Sequence, residues 1–188
     1  MKLILASQSP RRRDLLQQIG YSFEVRLKPI EEIYPPEIPV EDVPVYLAKL
    51  KAAAFKGDIA PDEVLISSDT IVLLEGKVLG KPRDRADAIQ ILKALSGKMH
   101  QVISGVCLTS NHSQHCFSEV TNVHFRVLTE QEITYYVDEY SPYDKAGAYA
   151  IQEYIGMIGI TRIEGCYYNV MGLPMSRLHR ALSEFNLC

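Results

Sequence analysis

Read for its apolar and polar positions, the chain alternates short hydrophobic runs with stretches of helical spacing. Residues 2–6 form a short strand. Ser9-Pro10 then starts a helix, with Ser at the N-cap and Pro at the first helical position, and Gly20 stops it after Ile19. Residues 21–26 read as a second strand, and a proline-rich loop through Pro39 either moves or packs as a lid. In the helix predicted over 43–56, Leu47, Leu50 and Ala54 mark the buried face, Lys49 and Lys56 lie opposite, and Lys51 borders the stripe. Val64, Leu65 and Ile66 read as a buried strand, Ile71 to Leu74 as its continuation, Glu75-Gly76-Lys77 as a turn and Val78-Leu79 as the return. A helix over 84–95 ends before Gly97. Residues 100–109 and 119–128 form two strands joined by a polar turn, and Thr129-Glu130-Gln131-Glu132 is a capping box that opens a helix to about residue 139. Residues 155–163 read as another strand, and Pro174 opens a last helix carried by Leu178, Leu182 and Phe185. Strands alternate with helices and hairpins are mixed in, which predicts an α/β fold on a mixed, twisted sheet.

Two places break this pattern. Ser67-Ser68-Asp69-Thr70 interrupts the central apolar run, and a carboxylate there wants a cation, a metal or water beside it unless it caps a turn or a bulge. In the first helix, at 100° per residue, Leu15, Leu16 and Ile19 centre the apolar stripe on the meridian of Arg12, while Arg11 and Arg13 fall to either side. A cation aimed inward beside a helix N-terminus opposes the dipole. A bound phosphate explains it better than an ion pair to Glu31 or Glu32. Lys51 either reaches into a cleft or snorkels, and Lys81 leaves the hairpin near the sheet edge that carries Asp69.

Composition narrows the partners. Hydrophobic content of 47% and charged content of 23% are those of an ordinary globular chain, and a net charge of −3 leaves no basic footprint for nucleic acid. Met1 to Ala6 is apolar but stops at Ser7, too short for a signal or membrane segment, so a cytoplasmic protein is expected. Cys107, Cys116, Cys166 and Cys188 show no paired spacing and read as free thiols. The histidines form no metal cluster. No Walker loop, dinucleotide glycine fingerprint or nucleophile elbow is present. Arg11, Arg12, Lys51 and Lys81 remain as cations beside Glu32, Asp69 and Asp144 as carboxylates, a set that suits phosphoryl chemistry with a divalent metal.

Five motifs in order, Ser7-Gln8-Ser9-Pro10-Arg11-Arg12, Ser68-Asp69-Thr70, Gly80-Lys81-Pro82, Asp144-Lys145-Ala146-Gly147-Ala148-Tyr149 through Gln152, and Asn169-Val170-Met171-Gly172-Leu173-Pro174, resemble the Maf family of nucleoside triphosphate pyrophosphatases. The resemblance spans nearly the whole chain as a single domain. It implies a fold similar to the inosine triphosphatase class, an elongated mixed sheet flanked by helices with two lobes around a cleft, and a homodimer. It also implies hydrolysis of a nucleoside triphosphate to the monophosphate and pyrophosphate with Mg²⁺ or Mn²⁺, a house-cleaning activity that extends to modified pyrimidine nucleotides.

By motif position Asp69 is the proton acceptor, Glu32 a metal or water partner, and Arg12, Lys51 and Lys81 the phosphate binders, with Lys81 grouped among the catalytic residues. Asp69 and Glu32 would hold the metal, and Ser7 lies in the substrate-binding motif. Arg11, Thr70 and Gln152 match the positions that separate subfamilies, and they resemble the dTTP and UTP branch rather than the 7-methyl-GTP branch. Three positions depart from the pattern: Glu153 where Gly is expected, Ser104 for Thr and Leu50 for an acidic residue. The Glu153 charge beside a base pocket is expected to weaken binding or alter base choice. A nucleotide-sensing regulator of septum formation and an enzyme acting on a sugar phosphate are rival readings. Asp69 and Glu32 favour the hydrolase, because binding alone needs only the cations.

Overall fold

The computed structural model of the chain describes residues 2–185. Met1, which opens the first apolar run, and Cys188, read as a free thiol, lie outside the described residues. In chain order the elements are β1 (Lys2–Ala6), α1 (Pro10–Gln18), β2 (Phe23–Val25), α2 (Val43–Ala53), β3 (Glu63–Leu74), β4 (Lys77–Leu79), α3 (Arg85–Leu95), β5 (Met99–Thr109), β6 (Gln114–Phe125), α4 (Glu130–Tyr140), α5 (Tyr154–Gly159), β7 (Ile160–Glu164), α6 (Tyr167–Val170) and α7 (Met175–Phe185), with 3₁₀ turns at Val40–Asp42 and Ala146–Ala148. The strands bond in the order β2-β1-β3-β5-β6-β7, with β4 added to β3. Strand β1 runs parallel to β2 and β3, whereas β3–β4 and β6–β7 are antiparallel. The sheet is therefore mixed and accompanied by helices, the expected α/β class.

The chain forms two compact units. Among the described residues the first comprises 2–69, 104–119 and 172–185. Its core includes Ile4, Ala6 and Leu65 of the sheet, packed on Ala52, Phe55 and Ile59. The start of α2 lies on β5, where a Cβ at Gly105 would stand 2.3 Å from the backbone of Pro44 and Val45. Only glycine lets helix and strand approach that closely. The buried stripe of α2 is Val43, Pro44, Leu47, Ala48 and Ala52, while Leu50 and Ala54 are half-buried. Lys51 does border it.

The second unit comprises 70–103 and 120–171. Val72, Leu92, Val102, Val123, Phe125, Ile133, Tyr136 and Tyr149 belong to its core. Helix α3 opens on Asp84, whose carboxylate accepts from the Asp87 N–H at 2.8 Å, and α4 opens on the expected capping box of Thr129 and Glu132.

Four expectations are corrected. Residues 67–70 do not break the central strand, since β3 is continuous from Glu63 to Leu74. Residues 155–159 are helical rather than extended, because Gly156 lets the chain turn tightly onto residue 151, where a Cβ would come within 2.1 Å of the carbonyl oxygen. Contact there overrides the strand preference of Ile155 and Ile158. Ile19 is exposed and lies past the end of α1. Finally, Cys107 and Cys116 are not free thiols but form a disulfide across the β5–β6 hairpin.

Candidate active site

The polar stretch of β3 is satisfied by the elements on either side of it. Successive strand residues face opposite ways, so Ser67 and Asp69 share one face and Ser68 and Thr70 the other. Helix α2 meets the first face with residues one turn apart. Ser67 Oγ donates to the Ala48 carbonyl at 2.8 Å, and Lys51 Nζ lies 2.6 Å from Asp69 Oδ1. The same ammonium lies 2.9 Å from Glu32 Oε1 and donates to the Ser68 carbonyl at 3.4 Å. One lysine thus bridges two carboxylates.

Behind them lies Arg12, 9% exposed. Its Nε donates to the Gly172 carbonyl at 3.0 Å, and its Nη1 donates to the Ser68 carbonyl at 2.7 Å and to Ser7 Oγ at 3.2 Å. Ser7 Oγ also accepts from the Ser9 N–H at 3.2 Å. Ser9 sits at the N-cap of α1 as expected, but its own side chain makes no capping bond. Burial pulls the Arg12 guanidinium below its ordinary value, partly offset by attraction to Asp69 and lowered further by repulsion from Arg11. An arginine so placed stays charged. Three of its hydrogen bonds run to neutral oxygens.

The first unit therefore brings Ser7, Arg12, Glu32, Lys51 and Asp69 together, with Arg11 half-buried in the first turn of α1. Thr70, Lys81 and Gln152 belong to the second unit. Lys81 is exposed, following Gly80, whose carbonyl accepts from the Gly147 N–H at 3.0 Å. Gln152 stands in the turn before α5, and its Oε1 is buried with no hydrogen-bond partner among the described residues. It lines a hollow of about 350 Å³ together with Ile151, Gly156, Met157, Ile160 and Tyr167.

Sequence reasoning missed two features. The carbonyls of Ser68 and Gly172 anchor Arg12, but any residue type supplies a carbonyl, so nothing in the sequence marks them. The other is what Glu153, singled out from the sequence, is paired with: its carboxylate accepts from the Tyr136 hydroxyl and pairs with Lys145 Nζ at 3.4 Å. The tyrosine lies seventeen residues upstream, and nothing in the local sequence marks the pairing.

Among the described residues no group of three or more His, Cys, Asp or Glu side chains stands ready to hold a metal. Asp69 and Glu32 still fit a hard divalent ion. Both present carboxylate oxygens and already converge on one cation, and Mg²⁺ commonly takes only one or two protein carboxylates beside water and substrate phosphates. Also among the described residues, no helix is long and apolar enough to cross a membrane.

A mixed α/β fold in which the half-buried Lys51 joins Asp69 of β3 to Glu32 of the loop after β2, with the buried Arg12 behind, defines a protein class suited to phosphorylated ligands. The chain belongs to the Maf-like protein family, whose model matches residues 2–185. It is 52% identical over 184 residues to a dTTP/UTP pyrophosphatase of Bacteroides fragilis, an alignment covering 97% of this chain and 95% of the relative. A dTTP/UTP pyrophosphatase of Phocaeicola vulgatus is 53% identical over 184 residues, with the same coverage. Among solved structures, the Staphylococcus aureus Ham1 protein aligns over 66% of this chain and 72% of its own at 12% identity, with a TM-score of 0.49.

Proposed function

We propose that this chain is a nucleoside triphosphate pyrophosphatase that converts dTTP and UTP to the monophosphate and pyrophosphate, clearing those nucleotides and modified pyrimidine analogues from the pool. The observation that carries the reading is the Lys51 ammonium held between Asp69 and Glu32. A protein that only bound a triphosphate would gain from the cation and lose from the two carboxylates.

Asp69 takes the proton from the water that attacks the α-phosphorus, and Lys51 orients its carboxylate for that transfer. Glu32 holds the water from the opposite side. Asp69 and Glu32 would also hold Mg²⁺ or Mn²⁺, which supplies Lewis acidity and a lowered pKa for water. Arg11 and Arg12 balance charge on the leaving pyrophosphate, Ser7 keeps Arg12 in place, and Lys81 of the second unit is a phosphate binder. In the second unit Gln152 reads the base and Thr70 assists. Uracil and thymine present an N3–H donor, which suits an acceptor without a partner, whereas cytosine presents a lone pair there. A cytoplasmic homodimer completes the proposal, and light scattering on the purified protein checks the assembly.

The test incubates the protein with dTTP, UTP, CTP, GTP and 7-methyl-GTP plus Mg²⁺ or Mn²⁺ and separates pyrophosphate from phosphate. Monophosphate and pyrophosphate from dTTP and UTP are expected, with Asp69→Asn reducing kcat by at least about 100-fold. Turnover that survives Asp69→Asn unchanged would remove Asp69 from the chemistry. Release of single phosphates would assign a different reaction.

A further inference from the structure

The side chain at residue 153 sits at the N-cap of α5 yet makes no capping bond. It is used elsewhere. The buried Tyr136 hydroxyl donates to the Glu153 carboxylate and accepts from the Ala150 N–H at 3.2 Å, while the Glu153 N–H donates to the Ala150 carbonyl at 3.1 Å. Both ends of the four-residue turn 150–153 are thus fastened to one hydroxyl in the core, and Gln152 lies inside that turn. Lys145 Nζ, 2.8 Å from Asp144 Oδ1 and 3.4 Å from Glu153 Oε1, balances the carboxylate. The Glu153 charge is spent on Tyr136 and Lys145 within its own unit.

We propose that Glu153 is a specificity-determining positioning residue, which clamps the 150–153 turn onto Tyr136 and so fixes the backbone from which the Gln152 side chain turns its unpaired acceptor to the base. The inference rests on Gln152 reading the base. A buried amide oxygen without a partner is unfavourable and turns to a neighbour if its backbone can move. The clamp withholds that movement. It acts before substrate arrives and needs no contact with it, as pre-organised recognition requires.

The test compares kcat/KM for UTP and CTP, together with thermal midpoints, in the unmodified chain and in Gln152→Ala, Glu153→Ala, Glu153→Gln and Tyr136→Phe. Glu153→Ala should lower the UTP-to-CTP preference about tenfold, the loss of roughly one hydrogen bond of discrimination. Glu153→Gln still accepts from the tyrosine hydroxyl and should keep most of the preference. Tyr136→Phe should lower it as Glu153→Ala does, and it carries the test alone if Glu153→Ala does not fold. A lowered midpoint with an unchanged preference makes Glu153 a structural residue only and overturns the proposal. Gln152→Ala separates the two failures. If it abolishes the preference while Glu153→Ala and Tyr136→Phe do not, the clamp is wrong and the base reading stands. If it has no effect, the base reading fails and the clamp with it.

Discussion

Lys51 and Arg12 are both cations at the edge of a core, but their partners give them different work. Lys51 faces two carboxylates and can exchange them for substrate, whereas Arg12, beside the phosphate role proposed for it, also donates to the Gly172 and Ser68 carbonyls and to Ser7 Oγ inside the fold. Lys51→Met should therefore lower kcat/KM for UTP by about 100-fold in a pyrophosphate-release assay, and a change under threefold would remove it from the site. Arg12→Met should cost stability with no nucleotide present. It removes a charged donor from the Gly172 and Ser68 carbonyls and from Ser7 Oγ, a loss of about 3 kcal/mol in urea unfolding. If the unfolding free energy moves by less than about 0.5 kcal/mol, Arg12 is not a brace. The inward aim of Arg12 was legible from helical geometry alone. What it would meet was not, because backbone carbonyls have no signature in a sequence.

At the scale of elements, the central strand and the β5–β6 hairpin show how packing completes a pattern. In β3, Ser67 and Ser68 are fully buried, so the strand has apolar and polar residues on both covered faces and no alternation to read. Its polar side chains survive there because α2 and the loop before α7 supply partners. The disulfide between Cys107 and Cys116 closes a short loop across two strands, nine residues apart in sequence. Non-reducing peptide mapping should find these two cysteines linked, and full reduction should lower unfolding free energy by about 2.5 kcal/mol on the loop-entropy account. Two alkylatable thiols in the unreduced native protein at these positions would refute the bond. Their spacing did not show it, since pairing depends on hairpin register. In α5, Gly156→Ala drives a methyl group onto the residue 151 carbonyl and should lower the thermal midpoint by several degrees, visible by calorimetry.

For the whole molecule the strongest handle is pH. Burial, with repulsion from His124 added, holds His100 down to about 4 from an ordinary 6.5. Its Nε2 lies 2.7 Å from the Tyr149 hydroxyl, and its ring stacks on Phe125. Between those two values the unfolded chain binds a proton that the folded one does not, so stability rises with pH across the window. The shift corresponds to about 3 kcal/mol, lost as pH falls from 6.5 toward 4. Below that, the carboxylates of Glu24, Glu63 and Glu132, held near 2 chiefly by Arg26, Arg26 and Arg126, lose their contribution as pH falls from 4.5 toward 2. Urea midpoints measured from pH 7 to 4 should fall steadily in the unmodified chain and flatten in His100→Phe. A parallel decline in both would place the effect elsewhere.

The sequence by itself determined the α/β class and most of the elements up to α4, because periodicity, caps and glycine stops act over a few residues, but not the helices at 154–159 and 167–170. It also supplied the candidate site residues through motifs that keep their order along the chain. Only the tertiary structure decided that 67–70 continue a strand, that Cys107 bonds to Cys116, that Arg12 ends on carbonyls, and that Glu153 turns to Tyr136 and Lys145. Each of these depends on strand register, on a partner in another element or on a backbone atom common to all residues, and local pattern carries no information about any of them.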